Sequence, residues 1–493
     1  MMFLGKTCFI APVLLVFTTA LIAAPAPKST NPPRFFPYEV KTKKLANGLD
    51  VVVIPTPEFH GMVTYSTAVF AGSRNETKKG KTGLAHLFEH IMFRHEYGGQ
   101  PGGYEAQVRR LGAFNNAWTD YDLTYYHPTT FTDNLVGPVQ RADGPAPGLM
   151  ELEAARFKKL TLDRKTFQVE AGAVLGEYRR DFSDPGQKAI EQFSPLAFPN
   201  HPYGHTVIGY REDVENMPNA WDAAWEFYGN YYKPNDVALV VVGDVDPKMI
   251  FAQAEKHYGD WKPSQPPQIP AEQQPQGPQQ LHVPWDADVS PRLFVGYHTP
   301  AMQPGTKETA VTMVLPELLT SRSAPLFQKL RYQKQTVTDF SILNGPELLE
   351  STDPHLLVLD SQLLLDRFRK DDKAYVSDVQ NDVIGGVDDL KSFSKQRDAA
   401  RVLKVVKSKV RNDFLASLDS TGDIAERFAW YYRLNRDAHV FDTLMQAIDG
   451  LQPKDIDAYA AKYFIPRGRI VTTLWQGAQS AATNPTKGKQ EVR

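Results

Sequence analysis

Apolar positions recur along the 493-residue chain in two different periods. The runs LDVVVIPTP and MVTYSTAVFAG, between Leu49 and Gly72, are dense in β-branched residues and predict two strands. The period then changes. In GLAHLFEHIMF, Gly83 to Phe93, apolar residues return every three or four positions, which predicts a helix. A second helix is predicted over 103–111. NAWTDYDLTYY, Asn116 to Tyr126, is rich in aromatics and threonine and reads as one strand. Asp163 to Arg180 predicts a long helix, and DVALVVVGD, Asp236 to Asp244, a buried strand ending in a glycine turn. Further on, a strand is predicted over Pro291–Tyr297, helices over Thr306–Leu319 and Ala324–Tyr332, and a strand over Leu356–Leu365. Helices dominate after Lys373.

Between these two sets lies WKPSQPPQIPAEQQPQGPQQ, residues 261–280, rich in Pro and Gln and nearly devoid of large apolar side chains. Such a segment buries too little to order itself and reads as an exposed linker. It divides the chain into an N-terminal part, 35–260, and a C-terminal part, 281–477. Both mix strands and helices in a similar order, which points to an α+β protein of two α/β halves related by duplication. The tail, 478–493, reads as disordered.

The N-terminus changes the picture of location. Met1–Lys6 carries one positive charge, Cys8–Ala24 is almost wholly apolar, and small residues follow. This is the pattern of a signal peptide, 1–26, cut between Ala23 and Ala26; the alternative is an uncleaved anchor. Cys8 is the one cysteine and lies inside that segment, so a mature chain would have no thiol chemistry. No other run is long and apolar enough to span a bilayer. The expectation is a soluble exported protein, periplasmic or secreted. Lys plus Arg number 55 and Asp plus Glu 57, a net charge of −2, which argues against a nucleic-acid binder.

The candidate chemistry sits on the predicted helix Gly83–Phe93. With His86 at zero on a helical wheel, His90 falls about 40° away and Glu89 about 60° to the other side. Leu84, Leu87, Phe88, Ile91 and Met92 occupy the opposite arc; Phe93 breaks the pattern slightly. One face therefore packs and the other gathers two imidazoles and a carboxylate. Histidines at i and i+4 can grip one zinc ion through neutral ring nitrogens, leaving Glu89 to act on a water. The bland reading is a chance match on an exposed face. A third ligand must come from elsewhere, and Glu170 and Glu177, seven apart on one helical stripe, are candidates for ligand and supporting carboxylate. By themselves they also suit a solvated face. His95, about 180° from His86 on the same wheel, reads as structural.

At this point the chain resembles the inverted-zincin metallopeptidases of the pitrilysin, insulinase and mitochondrial processing peptidase family. GLAHLFEHIMF resembles their metal helix, GAFNNAWTDYDLTYY their G…NA-x-T…T-x-Y strand, and ELEAARFKKLTLDRKTFQVEAGAVLGEYRRDFSDPG their second metal helix and its approach. HPYGHTVIG and YYKPNDVALVVVGDVDP follow in order. The resemblance implies a clam-like pair of halves, zinc on His86, His90 and Glu177, Glu89 as general base, and Glu170 behind the ligands. It implies that the strand carrying Asn116, Ala117 and Thr119 pairs with an extended peptide. Two departures stand out. The 87 residues from His90 to Glu177 exceed the usual family spacing, which an insertion at VQRADGPAPG, Val139–Gly148, explains. The family's Arg and Tyr, seven apart in the C-terminal half, are here Arg331 and Thr338.

The expected function is thus a zinc-dependent endopeptidase for extended or unfolded peptides. Its oxyanion-stabilising side looks incomplete, so the expected partner is a paralogue that lacks the zinc motif but carries the Arg/Tyr pair; the alternative is a homodimer. Competing classes are a non-catalytic assembly subunit of the same fold and a metal-binding transport or structural protein. The full H-x-x-E-H with both downstream glutamates weighs against the assembly subunit.

Overall fold

The computed structural model describes residues 34–476 except 101, 272–276, 286–288, 344–346 and 369–371. The expected signal peptide, the terminal tail and part of the expected linker lie outside the described residues. No helix among those described is long and apolar enough to cross a membrane.

Seven strands form the first sheet: β1 (Lys41–Lys44), β2 (Asp50–Pro55), β3 (Met62–Val69), β4 (Ala117–Thr119), β5 (Thr124–Tyr126), β6 (Thr129–Phe131) and β7 (Val237–Gly243). Five form the second: β8 (Gln279–Trp285), β9 (Arg292–Thr299), β10 (Val337–Ile342), β11 (His355–Leu363) and β12 (Arg469–Gln476). The first runs β1-β2-β7-β3-β5-β4, with β6 also on β3; the second runs β10-β11-β9-β12-β8. In each, the last strand inserts between two earlier consecutive strands, β7 between β2 and β3 and β12 between β8 and β9. β7 pairs parallel with β2 and antiparallel with β3, and β12 pairs parallel with β8 and antiparallel with β9. The two halves therefore share one topology, β2-β7-β3-β5-β4 matching β8-β12-β9-β11-β10.

The unbroken apolar runs of β2 and β7 are explained by burial on both faces. On one face, Val51, Val53, Val63, Tyr65, Leu239 and Val241 join the core with α1 (Leu84–Met92). The other face is covered by the helix Thr421–Asn435, which comes from the C-terminal half. There β3 presents Thr64, Ser66 and Ala68, and Thr64 Oγ1 lies 2.9 Å from Thr421 Oγ1. The favour is returned. Among α2 (Gly103–Arg110), α3 (Leu149–Lys158), α4 (Arg164–Asp181) and α5 (Pro185–Ala197), it is α5 that packs on β12 and β8 of the second sheet, placing Ile190 and Phe193 beside Phe294 and Leu474. Each half lends a helix to the other's sheet, so the sequence division at 261–280 separates the strands but not the packing.

A polar junction reinforces this exchange. Asp353 accepts from Arg74 Nε at 2.5 Å and lies 3.1 Å from His201 Nε2. Glu350 accepts from Trp430 Nε1 at 2.7 Å and Tyr431 Oη at 2.5 Å.

Two sequence expectations are corrected. Asn116–Tyr126 is not one strand but the hairpin β4–β5, because Asp122 ties the turn down, accepting from Tyr203 Oη at 2.8 Å and Thr352 N at 2.7 Å. The predicted helix Ala324–Tyr332 is only briefly α-helical, over Pro325–Phe327, and continues as a π-helix through Gln333. The segment Val139–Gly148 is a loop pinched by a Val139–Ala146 bridge and held by Arg110 on Asp143 at 2.8 Å.

Candidate metal centre

The helix that carries both histidines begins without a capping side chain. Its N-cap is Gly83, at φ +84°, where an added Cβ would lie 2.5 Å from Ile208 O. The buried first-turn amides are satisfied instead by Glu76, which accepts from Gly83 N and Ala85 N, both at 2.7 Å. Burial pushes the Glu76 carboxyl up to about 8, against the pull of those amides. The apolar arc of α1 is buried as the wheel requires: Leu84, Leu87, Phe88, Ile91 and Met92 all lie in the core. Phe88 stacks on Tyr228 and meets Tyr232 at a tilt and Trp225 edge-on. At about 2 kcal/mol for each large apolar side chain buried, this face fixes the helix and aims the other face outward.

The second helix, α4, is capped by Asp163, which accepts from Thr166 N at 2.6 Å. It lies against α1 and brings its glutamate stripe to the histidines. Glu177 Oε2 is 3.4 Å from His86 Nε2 and 3.5 Å from His90 Nε2. The imidazole centroids are 4.9 Å apart and nearly perpendicular. One donor atom from each of the three residues lies within 4.8 Å of the others. Ligands about 2.0–2.1 Å from a tetrahedral ion stand about 3.3–3.4 Å apart, so two nitrogens and one carboxylate in this arrangement fit a divalent zinc. Burial, with His90 adding, pulls His86 down to about 4, which keeps it a neutral donor. Burial also pulls on His90, but Glu170, Glu177 and Glu89 outweigh it and raise its pKa.

Around this trio the other expected residues take distinct positions. Glu170 is buried behind His90, with Oε2 3.6 Å from His90 Nδ1. Burial would raise its pKa, yet His90 and Arg94 prevail and lower it. Glu89 sits beside the trio, 3.9 Å from His86 Nε2, and accepts from Thr119 Oγ1 at 2.7 Å. Burial raises the Glu89 pKa over the opposing Thr119 and His90, which makes its carboxylate a better proton acceptor.

Thr119 and Ala117 stand on the edge strand of the first sheet. The ladder to β5 runs through Asn116 O, which accepts from His127 N, and Asp120 N, which donates to Leu123 O. By alternation, the backbone groups of Ala117 and Thr119 face away from β5. Asn116 is exposed and Ala117 buried. His95 is buried and accepts from Thr161 N, apart from the trio.

The structure does not bring Arg331 and Thr338 to this centre. Thr338 is exposed on β10 and donates to Gln362 O at 3.3 Å, and neither residue bonds to the trio or to Glu89.

Reading the sequence missed three contributors. Arg94, whose Nε donates to Glu170 Oε1 at 2.8 Å, lies about 80° from His86 on the same wheel and was findable there. The cap from Glu76 was signalled only by the missing polar N-cap. The bond from Thr119 to Glu89 had no local signal.

The chain matches the model of the insulinase peptidases (family M16) over residues 51–210 and that of the M16 inactive domain over 222–357. It is 27% identical over 425 residues to the zinc protease PqqE of Helicobacter pylori, spanning 85% of this chain and 89% of that one. It is 24% identical over 221 residues to the mitochondrial-processing peptidase subunit beta of Blastocladiella emersonii, covering 45% of this chain and 44% of the relative. The crystal structure of a protease from Helicobacter pylori superposes with a TM-score of 0.75 at 25% identity, over 89% of this chain and 99% of that one. Family matches on both halves, the duplicated sheet topology and the solved relative agree: the chain belongs to the M16 peptidase family of pitrilysin, insulinase and mitochondrial processing peptidase.

Proposed function

We propose that the protein is a zinc-dependent endopeptidase that hydrolyses extended or unfolded peptides. The observation that carries this reading is the convergence of His86, His90 and Glu177 from two helices, with Glu89 beside them. His86, His90 and Glu177 would hold the ion. When bound, zinc supplies Lewis acidity, polarising a carbonyl and lowering the pKa of water to about 7. Glu89 takes the proton of the attacking water and delivers it to the departing amine, a role suited to its raised proton affinity. Thr119 holds Glu89 Oε2 and so orients the carboxylate. The outward backbone of Ala117 and Thr119 takes the substrate as an added strand, with exposed Asn116 contacting it nearby.

Among the described residues no side chain joins the ion in stabilising a developing oxyanion: Thr338 stands where the family carries a tyrosine, and its hydroxyl donates to Gln362 O instead. We infer a heterodimer with a paralogue that lacks the zinc motif and supplies the Arg/Tyr pair, with a homodimer as the alternative arrangement. The relative named as a beta subunit supports a divided assembly. The inactive-domain match falls on 222–357, away from the histidines, and so does not favour a non-catalytic assembly subunit. The apolar run Cys8–Ala24 supports export to the periplasm or beyond.

Glu89→Gln tests the chemistry. The variant should bind zinc in wild-type stoichiometry and lose about 10²–10⁴-fold in cleavage of a mixed peptide library. Unchanged cleavage with zinc retained removes Glu89 as the base.

A further inference from the structure

Resting on the zinc reading above, one contact goes beyond it. Arg94 lies two residues past the end of α1, one turn beyond His90. Its Nε donates to Glu170 Oε1 at 2.8 Å, and its Nη1 donates to Glu105 Oε2 on α2 at 3.1 Å. Glu105 is held in turn by Arg109 at 3.0 Å. Arg94 therefore bridges the end of α1 to both α2 and α4.

We propose that Arg94 is a positioning residue for the metal centre, acting through Glu170. Glu170 and Glu177 share one stripe of α4, and both carboxylates lie within reach of the histidines. What separates their roles is how their oxygens are committed. Glu170 Oε1 is taken by the guanidinium and Oε2 faces His90 Nδ1 at 3.6 Å. A carboxylate with one oxygen held by a guanidinium and the other facing an imidazole is restrained from swinging toward the ion in place of Glu177. It also presents an acceptor to His90 Nδ1, which selects the tautomer whose Nε2 lone pair faces the ion. His86 has no such support among the described residues, where its buried Nδ1 meets no hydrogen-bond partner. The fixed orientation of the histidine pair thus rests on the His90 side, and the fixed orientation of His90 rests on Arg94.

A purely structural tie between helices is the competing explanation, and metal affinity separates the two. Zinc affinity of the whole protein is measured by competition with a chromophoric chelator, and the cobalt(II)-substituted protein is read by its visible absorption. Arg94→Ala should weaken zinc binding about tenfold, the lower end of the effect of removing supporting residues around metal ligands, and should shift the cobalt bands. Arg94→Lys, which keeps a charge but not the fork, should recover part of that loss. Glu105→Gln, which leaves the Arg94–Glu170 bond in place, should bind zinc as wild type does. If Arg94→Ala does not fold, Arg94→Gln is measured in its place. Wild-type affinity and cobalt spectrum in the Ala or Gln variant overturn the proposal, even if thermal stability falls. A wild-type protein that binds no zinc in the same titration overturns the zinc reading itself, and the inference with it.

Discussion

The two halves are built on the same ordered set of five strands, yet among the described residues the histidine–glutamate cluster stands in the first half alone. After β3 the chain enters α1, which carries His86, Glu89 and His90. After β9 it enters the helix Lys307–Leu319, which has no histidine and packs with Ala310, Val311, Val314 and Leu315 buried. The second helix caps itself, Thr306 accepting from Thr309 N at 3.2 Å, while α1 borrows a buried carboxylate from Glu76. The edge strands differ too. β4 is three residues long and places Thr119 on Glu89, whereas β10 is longer, slips register between Val337 and Asp339, and leaves Thr338 exposed. A duplicated scaffold thus keeps its strand order wherever burial demands it, while the reactive side chains occupy positions that burial leaves free.

The largest effect expected from breaking this contrast is on His90. Two ligands cannot hold the ion as three do, so His90→Ala should lower zinc content to background by elemental analysis and reduce peptide cleavage by 10³-fold or more. Circular dichroism should remain that of the wild type, since the His90 side chain is not part of the apolar core.

Next comes the contrast between two glycines, one capping a helix and one inside a helix. Gly83→Ala forces a left-handed backbone and a 2.5 Å approach to Ile208 O, and should cost about 2–4 kcal/mol in denaturant melts. Gly385→Ala, within the helix Asp372–Asp388 of the second half, meets nothing within 4 Å and should stabilise by about 0.5–1 kcal/mol. Equal effects at the two sites would remove the special backbone constraint assigned to Gly83.

The smallest effect concerns the junction between halves. Burial would raise the Asp353 pKa, but His201 and Arg74 bring it down to about 2. Because this folded-state pKa lies below the ordinary value of 3.8, the contribution is present above about pH 4 and is lost as pH falls toward 2. Acid titration of stability should show a loss on the order of 1 kcal/mol across that window, and Asp353→Asn should flatten it.

How much of this was legible depended on range along the chain. The apolar arc of α1 and the opposing His86, Glu89 and His90 followed from a helical period, since every contact that defines them is set within a few residues. The same period placed Glu170 and Glu177 on one stripe of α4. It could not say which carboxylate would face the imidazoles; the resemblance to a family supplied Glu177, and the geometry then put its Oε2 against both rings. NAWTDYDLTYY was misread because the turn inside it is held by Tyr203 and Thr352, far from the segment in sequence.

By itself, then, the sequence determined the faces of the helices, the apolar strands, the spacing of the histidines and the family. Tertiary structure alone decided that Glu76 would cap α1, that Arg94 would hold Glu170, that Thr119 would reach Glu89, and that the two halves would exchange helices across residues as distant as Thr64 and Thr421. The physical reason is that local periodicity encodes which side of an element is buried. The partner on that side is chosen by packing and hydrogen-bond satisfaction over the whole chain.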